Sequence, residues 1–412
     1  MITVEGHTLG VLRDPDTQHV LSDAHTRHVR PLCTCRPPGI PMYVASTTTG
    51  FVIKRMPGTG EAHAPDCTSW EPPAALSGLG QVLGEAITDN PDTDSTTLRL
   101  GFSLSMGGGR AAPEASGDSS PESVATDGAK LTLRALLHYL WDEAGFSSWS
   151  PKMEGKRHWR IVSWHLRRAA DGKVAKRQPL GAKLYIPEPF DSARAAQISS
   201  RRLALWRSAQ ARPGKPVPLM LLIGEVEAIE PARYGQKVRI KHVPDAPFLL
   251  PEDAHRRLRK HFADVLEQWE VDDASHLMMV GTFAVSAAGI ASLHQLAVML
   301  VDERWLPVDS ATTGLLIATA ASQRRRFRVG MRYNLPPDIA SAALIFTDTT
   351  PATAAFLSTT SPTDILEDDA ALDDSATPLT ELVRESGMAL WEWNILSEIP
   401  ALPAPRKDTH DD

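Results

Sequence analysis

Residues 33–67 read CTCRPPGIPMYVASTTTGFVIKRMPGTGEAHAPDC, and they decide how the N-terminal part of this chain folds. Two short runs, MYVAS (42–46) and FVIKR (51–55), flank Thr47-Thr48-Thr49-Gly50, the pattern of a β-hairpin. Pro-Pro pairs at 37–38 and 72–73 bracket the unit. All three cysteines of the 412-residue chain, Cys33, Cys35 and Cys67, fall in this window, and His63 stands four residues before the last. The pattern is C-x-C, a 27-residue spacer, then H-x3-C. Zinc takes four soft or borderline ligands in a tetrahedron, and three cysteines with one histidine are an ordinary structural set. A hairpin inside the spacer would set the two close pairs side by side.

The competing reading is three small buried thiols, because free cysteine is often a core residue. Against it, the segment is rich in Pro, Gly and Thr and has too little apolar bulk to fold unaided. The expected ligands are Cys33, Cys35, His63 and Cys67, with His28 and Asp66 as substitutes for the fourth position. Four protein ligands would close the site, making zinc structural rather than catalytic.

The whole-chain numbers bound the rest. A 42% hydrophobic content is enough for one large core or two ordinary ones, and a net charge of −7 is that of an ordinary soluble protein. No apolar run approaches the length of a membrane helix, and the first 30 residues lack the apolar stretch of a signal peptide. An odd and small cysteine count argues against a disulfide framework, so a reducing, cytoplasmic setting is expected. Between residues 130 and 264, Lys and Arg outnumber Asp and Glu about two to one, whereas 361–412 is strongly acidic.

Composition divides the chain into six stretches. A zinc-binding module occupies 1–75, beginning with a short strand and turn in MITVEGHTLG. A short α/β extension follows at 76–106. Residues 107–128, almost free of large apolar side chains, read as a flexible linker. A basic helical region spans 129–215. There LTLRALLHYLWDEAG repeats leucines at helical spacing behind Asp127 as cap, and HWRIVSWHLRRAADG ends at Gly172. Helix, loop, helix and then KLYIPEP loosely resembles the order of a winged helix. A mixed α/β domain at 216–360 contains VPLMLLIGEVEAI, KVRIKHV, HLMMVGTFAV, LAVMLVDE and ALIFTD as strands. A helix over 251–270 opens at Pro251, and another lies near 311–323. The last stretch, 361–412, is an acidic, partly disordered tail, with DDAALDD and DTHDD its disordered parts. The fold class is α+β or mixed α/β: a small N-terminal zinc-binding hairpin module, a helical middle and a C-terminal mixed-sheet domain.

Several of these segments together resemble one family. RPLCTCRPPGIPMYVAS, FVIKRMPGTGEAHAPDC, LSGLGQVLGEAI, KLTLRALLHYLWDEAG, LMLLIGEVEAI, WLPVDS and RRFRVGMRYNLP resemble the uncharacterised bacterial family known as domain of unknown function 1173 (DUF1173). The likeness covers nearly the whole chain. It implies a bacterial source and a plasmid or other mobile-element setting, and it supplies no reaction.

A weaker likeness is to competence-protein architecture, in which a zinc finger precedes a PD-(D/E)XK nuclease. Such an enzyme needs an Asp at a strand end and E-x-K on the next strand, holding Mg²⁺ and orienting water. ALIFTD offers Asp348, but TAAFLS places Ala355, Phe356 and Leu357 where E-x-K should stand. Glu225 and Glu227 lie on an earlier strand with no lysine two places on. A nuclease-like copy would therefore be degenerate, with Asp348 the only catalytic candidate.

Nucleic-acid contact has its own candidates. Lys156, Arg157, Arg160, Arg167 and Arg168 share a segment with Trp149, Trp159 and Trp164, and cations with aromatic rings suit phosphates and bases. Core tryptophans beside a solvated helix face would give the same pattern. The run Arg324-Arg325-Arg326-Phe327-Arg328 is equally two-sided. GLGQVLG (78–84) lacks dinucleotide-loop spacing and reads as a turn and helix start. His255 and His261 are six apart on one helix and face different ways. The balance favours a zinc-stabilised, non-enzymatic factor that contacts DNA, RNA or another protein and no membrane. A nuclease-like protein and a structural protein without nucleic-acid contact are the alternatives, and oligomeric state is left open.

Overall fold

The apolar run expected at 217–229 forms the strand Met220–Pro231, long enough to serve two partners. The computed structural model in which it is seen describes residues 1–12, 14–47, 50–107, 128–233, 235–336, 339–359 and 379–406. The first half of this strand pairs antiparallel with His276–Val285 and the second half with Gln236–Ile240. A register break between Val226 and Ala228 divides the halves, as a bulge that bends one strand between two neighbours would. Gln236–Ile240 then pairs with Phe248–Leu250, which meets Ala291–Val301 in parallel; that strand returns antiparallel to His276–Val285. The five strands pair in a closed ring. Val238, Ile240, Phe248, Leu250, Phe283 and Leu293 are fully buried in its core.

Two helices, Glu252–His261 and Ala263–Val271, connect the third and fourth strands of the ring. The expected single helix over 251–270 breaks at Phe262, whose backbone (φ −134°, ψ 28°) leaves the helical region. Pro251 stands just before the first turn, as its cap residue, rather than inside it. The segment KLYIPEP is not a wing: Leu184–Tyr185 adds in parallel to Leu221–Leu222 at the edge of the barrel sheet.

The N-terminal hairpin is Ile40–Thr47 against Gly50–Arg55, in register from Met42↔Arg55 to Thr47↔Gly50. It lies in a five-stranded sheet whose order is His7–Thr8, Ile2–Val4, Leu32–Cys33 and then the hairpin. The helix Pro15–Thr26 seats Leu21 and Ala24 against Val4 and Val44 of this sheet. The turn residues 48–49 lie outside the described residues, as do Asp127, most of the 107–128 linker, DDAALDD and DTHDD.

In the middle region the first helix is Leu133–Glu143, capped by Thr132, whose hydroxyl accepts from the Ala135 amide. The second is Trp159–Ala170, and Gly172 follows it with φ +72°. Trp141, Trp159, Val162 and Leu166 bury their side chains in the same core as the barrel. A four-stranded sheet of Gln178–Pro179, Lys173–Ala175, Ser95–Leu98 and Ile87–Asn90 flanks them.

A mixed C-terminal sheet runs Ala389–Asn394, Thr353–Ser358, Leu344–Phe346, Phe327–Val329 and Ser148–Trp149. Only the first pair is parallel. One face packs Phe327, Leu344 and Phe346 on Leu316 and Ile317 of the helix Ala311–Ser322. The other packs Ile345, Ala354 and Phe356 on Trp70, Leu76 and Val383. The stretch 361–412 thus supplies a helix, Leu379–Glu385, and a full strand of this sheet. Nine α-helices among the described residues, with several mixed sheets, make the class α+β. No helix among the described residues is long and apolar enough to cross a membrane.

Candidate metal centre

Cys33 closes the strand Leu32–Cys33 and pairs with Ile40, so the chain reverses over residues 34–39 and carries Cys35 with it. Gly39 makes the reversal possible at φ +117°, a backbone region costly for any side chain. On the other arm, a 3-10 turn at Gly60–Ala62 delivers His63, and the Cys67 amide donates to Ala64 O to form the second knuckle. The hairpin joins the two arms, as the spacing predicts.

The four ligand atoms, three Sγ and one imidazole nitrogen, all lie within 4.8 Å of one another. Cys33 Sγ is 3.6 Å from Cys67 Sγ; His63 Nδ1 is 3.4 Å from Cys35 Sγ and 3.7 Å from Cys67 Sγ. A zinc–sulfur bond of about 2.3 Å and a zinc–nitrogen bond of about 2.0 Å require tetrahedral edges of roughly 3.5–3.8 Å. The measured separations fit that tetrahedron, and the donor set suits a borderline-soft ion.

Electrostatics favours ligation at some positions and opposes it at others. Burial, with Arg55 and Arg36 nearby, holds His63 below its ordinary range, leaving a neutral imidazole that can donate its lone pair. Burial opposes a Cys35 thiolate, but the Ala64 amide and the Cys33 and Cys67 thiols outweigh it and lower the group. Burial pushes Cys67 up to about 11, so a metal would have to displace its proton. The Ser69 amide, 3.4 Å from Cys67 Sγ, works in the opposite direction. His63 Nε2 is buried without a hydrogen-bond partner, so packing rather than a second acceptor holds the ring. His28 and Asp66 do not join the cluster: both are exposed, and Asp66 pairs with Arg406 at 3.2 Å.

The remaining candidates scatter. Asp348 lies two residues beyond its strand with both carboxylate oxygens engaged: Arg325 donates at 2.9 and 2.7 Å, and the Arg326 amide at 2.8 Å. It is a half-buried ion-pair acid with each oxygen already held by a donor. Arg325, from the basic run, is consumed in the same pair, and Arg328 pairs with Asp142. Arg157 points inward and donates to the carbonyls of Gly145, Phe146, Ser148 and Arg304. Its guanidinium is thus committed to four backbone carbonyls. Trp149 and Trp159 are core residues. Lys156 and Arg160 are exposed; Arg167 donates to Ile186 O, and Arg168 lies 4.7 Å over the Trp164 ring. Lys156, Arg160 and Arg167 are thus exposed, whereas Arg157 and Arg168 are half-buried. Glu225 is buried and held by Lys241 at 2.7 Å and His276 at 2.8 Å.

One charged group escaped the sequence reading. Lys173 is 3% exposed and donates to Glu143 (2.7 Å), Tyr139 (2.5 Å) and Thr96 (3.2 Å). Its partners stand 30 to 77 positions away in sequence, so no spacing rule could link them.

The family model described as "Protein of unknown function (DUF1173)" matches residues 8–395. No curated protein and no solved structure matches the chain.

Proposed function

For a chain that belongs to the DUF1173 family, we propose a zinc-stabilised, non-enzymatic nucleic-acid-binding factor of a bacterial mobile element, working in the cytoplasm. The observation that carries the reading is the closed set of Cys33, Cys35, His63 and Cys67. Four protein donors leave no open position for substrate or water, so the ion would hold the fold rather than do chemistry. The nucleic-acid part draws support from the barrel. Its strand order, first–second–third–fifth–fourth and back to the first, with helices between third and fourth, is that of the OB-fold. Other proteins of that fold carry oligonucleotides on the second and third strands, although a fold alone assigns no function. Here Lys237 and Arg239 sit there and are balanced by Glu227 and Glu230, so base stacking or neighbouring cations must add to the affinity.

The test is binding of zinc-loaded protein to single-stranded and duplex DNA and RNA at rising salt. Affinity falling steeply with salt, and weakened in Lys156→Glu with Arg160→Glu, supports the reading. Salt-insensitive or absent binding overturns the nucleic-acid part and favours a structural or protein-contact role. Mg²⁺-dependent cleavage abolished by Asp348→Ala would instead favour the nuclease-like alternative, which the Arg325 pairing already weakens.

A further inference from the structure

One end of the four-stranded sheet closes in a tight reversal. Lys173–Ala175 returns as Gln178–Pro179 over only two residues, Lys176 and Arg177, with Ala175 paired to Gln178. Both turn residues have positive φ, 49° and 62°. A two-residue hairpin loop of this kind visits the left-handed region twice, which is why Asn-Gly, Asp-Gly and Gly-Gly dominate it. Long side chains are strained in that region. The same chain shows the usual solution elsewhere: Val4 and His7 are joined by Glu5 (φ 48°) and Gly6 (φ 83°), with glycine in the second place. Lys176 and Arg177 are the only adjacent non-glycine residues with positive φ among the described residues.

Turn geometry thus disfavours this Lys-Arg pair, and packing does not require it, because both residues are exposed. Neither side chain has a partner among the described residues. Residues held against local preference without a structural return point to function. More cations stand beside them. Ala175 pairs in parallel with Leu98, so Lys176 follows alongside Arg99. Lys130, also exposed, precedes Leu131, whose amide donates to Arg99 O at 2.7 Å. Glu85 lies 3.7 Å from Arg99, but both side chains are more than half exposed, so water screens the contact.

We propose that the Lys176–Arg177 turn, with Arg99 and Lys130 beside it, contacts the phosphate backbone of a bound nucleic acid; the inference rests on the nucleic-acid reading proposed for this chain. Adjacent cations on an exposed turn can each meet a phosphate of one strand, and such contacts hold the backbone without reading bases.

The test couples stability to binding. Lys176→Asn with Arg177→Gly installs the preferred turn and removes both charges. In the full zinc-loaded chain this variant should melt at a higher temperature than wild type. Its affinity for a fluorescent mixed-sequence oligonucleotide, single-stranded or duplex, should nevertheless fall about tenfold or more, and the slope of log affinity against log salt should shrink by roughly one and a half to two units. Lys176→Arg with Arg177→Lys keeps both charges and should keep the affinity. Arg256→Gln with Arg259→Gln removes the same charge from the exposed side of Glu252–His261 and should leave affinity and slope close to wild type. Wild-type affinity and slope in the Asn-Gly variant overturn the proposal while leaving the nucleic-acid reading standing. Equal weakening by the Arg256 and Arg259 changes overturns it too, since net charge rather than the turn would then govern binding. A lower melting temperature in the Asn-Gly variant would mean that the fold itself prefers Lys-Arg, which removes the ground for a binding role. Polyglutamate competing as well as the oligonucleotide would assign the turn to an acidic polypeptide instead. No binding by wild type at any salt sinks the nucleic-acid reading itself, and this surface with it.

Discussion

Arg325 and Asp348 show how one residue's surroundings decide its role. The guanidinium is 4% exposed and the carboxylate 14%, and the pair is bidentate, so each charge has little water to fall back on. Removing one partner strands the other, which costs about 3–5 kcal/mol in such settings. Asp348→Ala should therefore lower unfolding stability by about 3 kcal/mol in a denaturant titration; wild-type stability in this variant would show that the acid is free for other work. His138 carries a different kind of prediction. It is buried, its Nδ1 accepts the Tyr333 amide at 3.0 Å, and burial with Arg134 and Arg332 nearby holds it well below the usual histidine range. The unfolded chain takes up a proton here near pH 6.5 and the folded chain does not. The unfolded state thus binds more protons below that pH, and stability falls as pH drops from about 6.5, by up to about 1.4 kcal/mol per unit for this group. His138→Asn, whose side-chain oxygen can take the same amide, should remove about one proton from the slope between roughly pH 6.5 and 5. An unchanged slope would place the uptake elsewhere.

At the scale of elements, the close approach of Gly78 to the chain near Arg332 sets a strict size limit. The Gly78 amide donates to Met331 O at 2.9 Å, and a Cβ there would sit 1.8 Å from Arg332 O. Backbone, not a flexible side chain, blocks the space, so Gly78→Ala should destabilise by about 2 kcal/mol or more. Gly181→Ala, whose Cβ would meet nothing within 4 Å, should stay within about 0.5 kcal/mol when both variants are compared by thermal melting. Equal effects would mean that the Gly78 contact yields easily. The same contrast explains what the sequence could reveal. The metal cluster was legible because two close pairs and a hairpin are local signals, and the leucine-rich helix because its period is strong. The helix Pro15–Thr26 was not foreseen, since PDTQHVLSDAHT buries only Thr17, Leu21 and Ala24 and has no apolar stripe. The closed barrel was not legible either. Its strands were visible as apolar runs, but ring closure depends on partners that sequence order does not disclose, Phe248–Leu250 beside Ala291–Val301 above all. The acidity of 361–412 masked the strand Ala389–Asn394, which alternates Trp391 and Trp393 with Glu392 and sits at a sheet edge.

For the whole molecule, the metal cluster is fused to the far end of the chain. Cys67 touches the core formed by Trp70, Leu76, Ile345, Ala354, Phe356 and Val383, so the second knuckle is part of the wall that covers one face of the C-terminal sheet. Arg328 on that sheet donates to Trp70 O at 3.2 Å, and the Ala342 amide donates to Leu76 O at 2.9 Å. A zinc ion bound at the four ligands would fix the position of Cys67 and, through Trp70, the sheet on which it rests. Chelation should then do more than melt a hairpin. Hydrogen exchange should show protection lost in Ile40–Thr47 and Gly50–Arg55 and also in Thr353–Ser358 and Ala389–Asn394, whereas the barrel strands His276–Val285 and Ala291–Val301, buried in a separate core, should keep theirs. Cys33→Ser and Cys67→Ser, each removing one of four ligands, should reproduce that map and lose the metal from a wild type carrying about one zinc per chain. Loss confined to the hairpin would mean that Trp70 packs equally well without the ion, and a metal-free wild type with stable variants would return the three cysteines to the status of buried thiols.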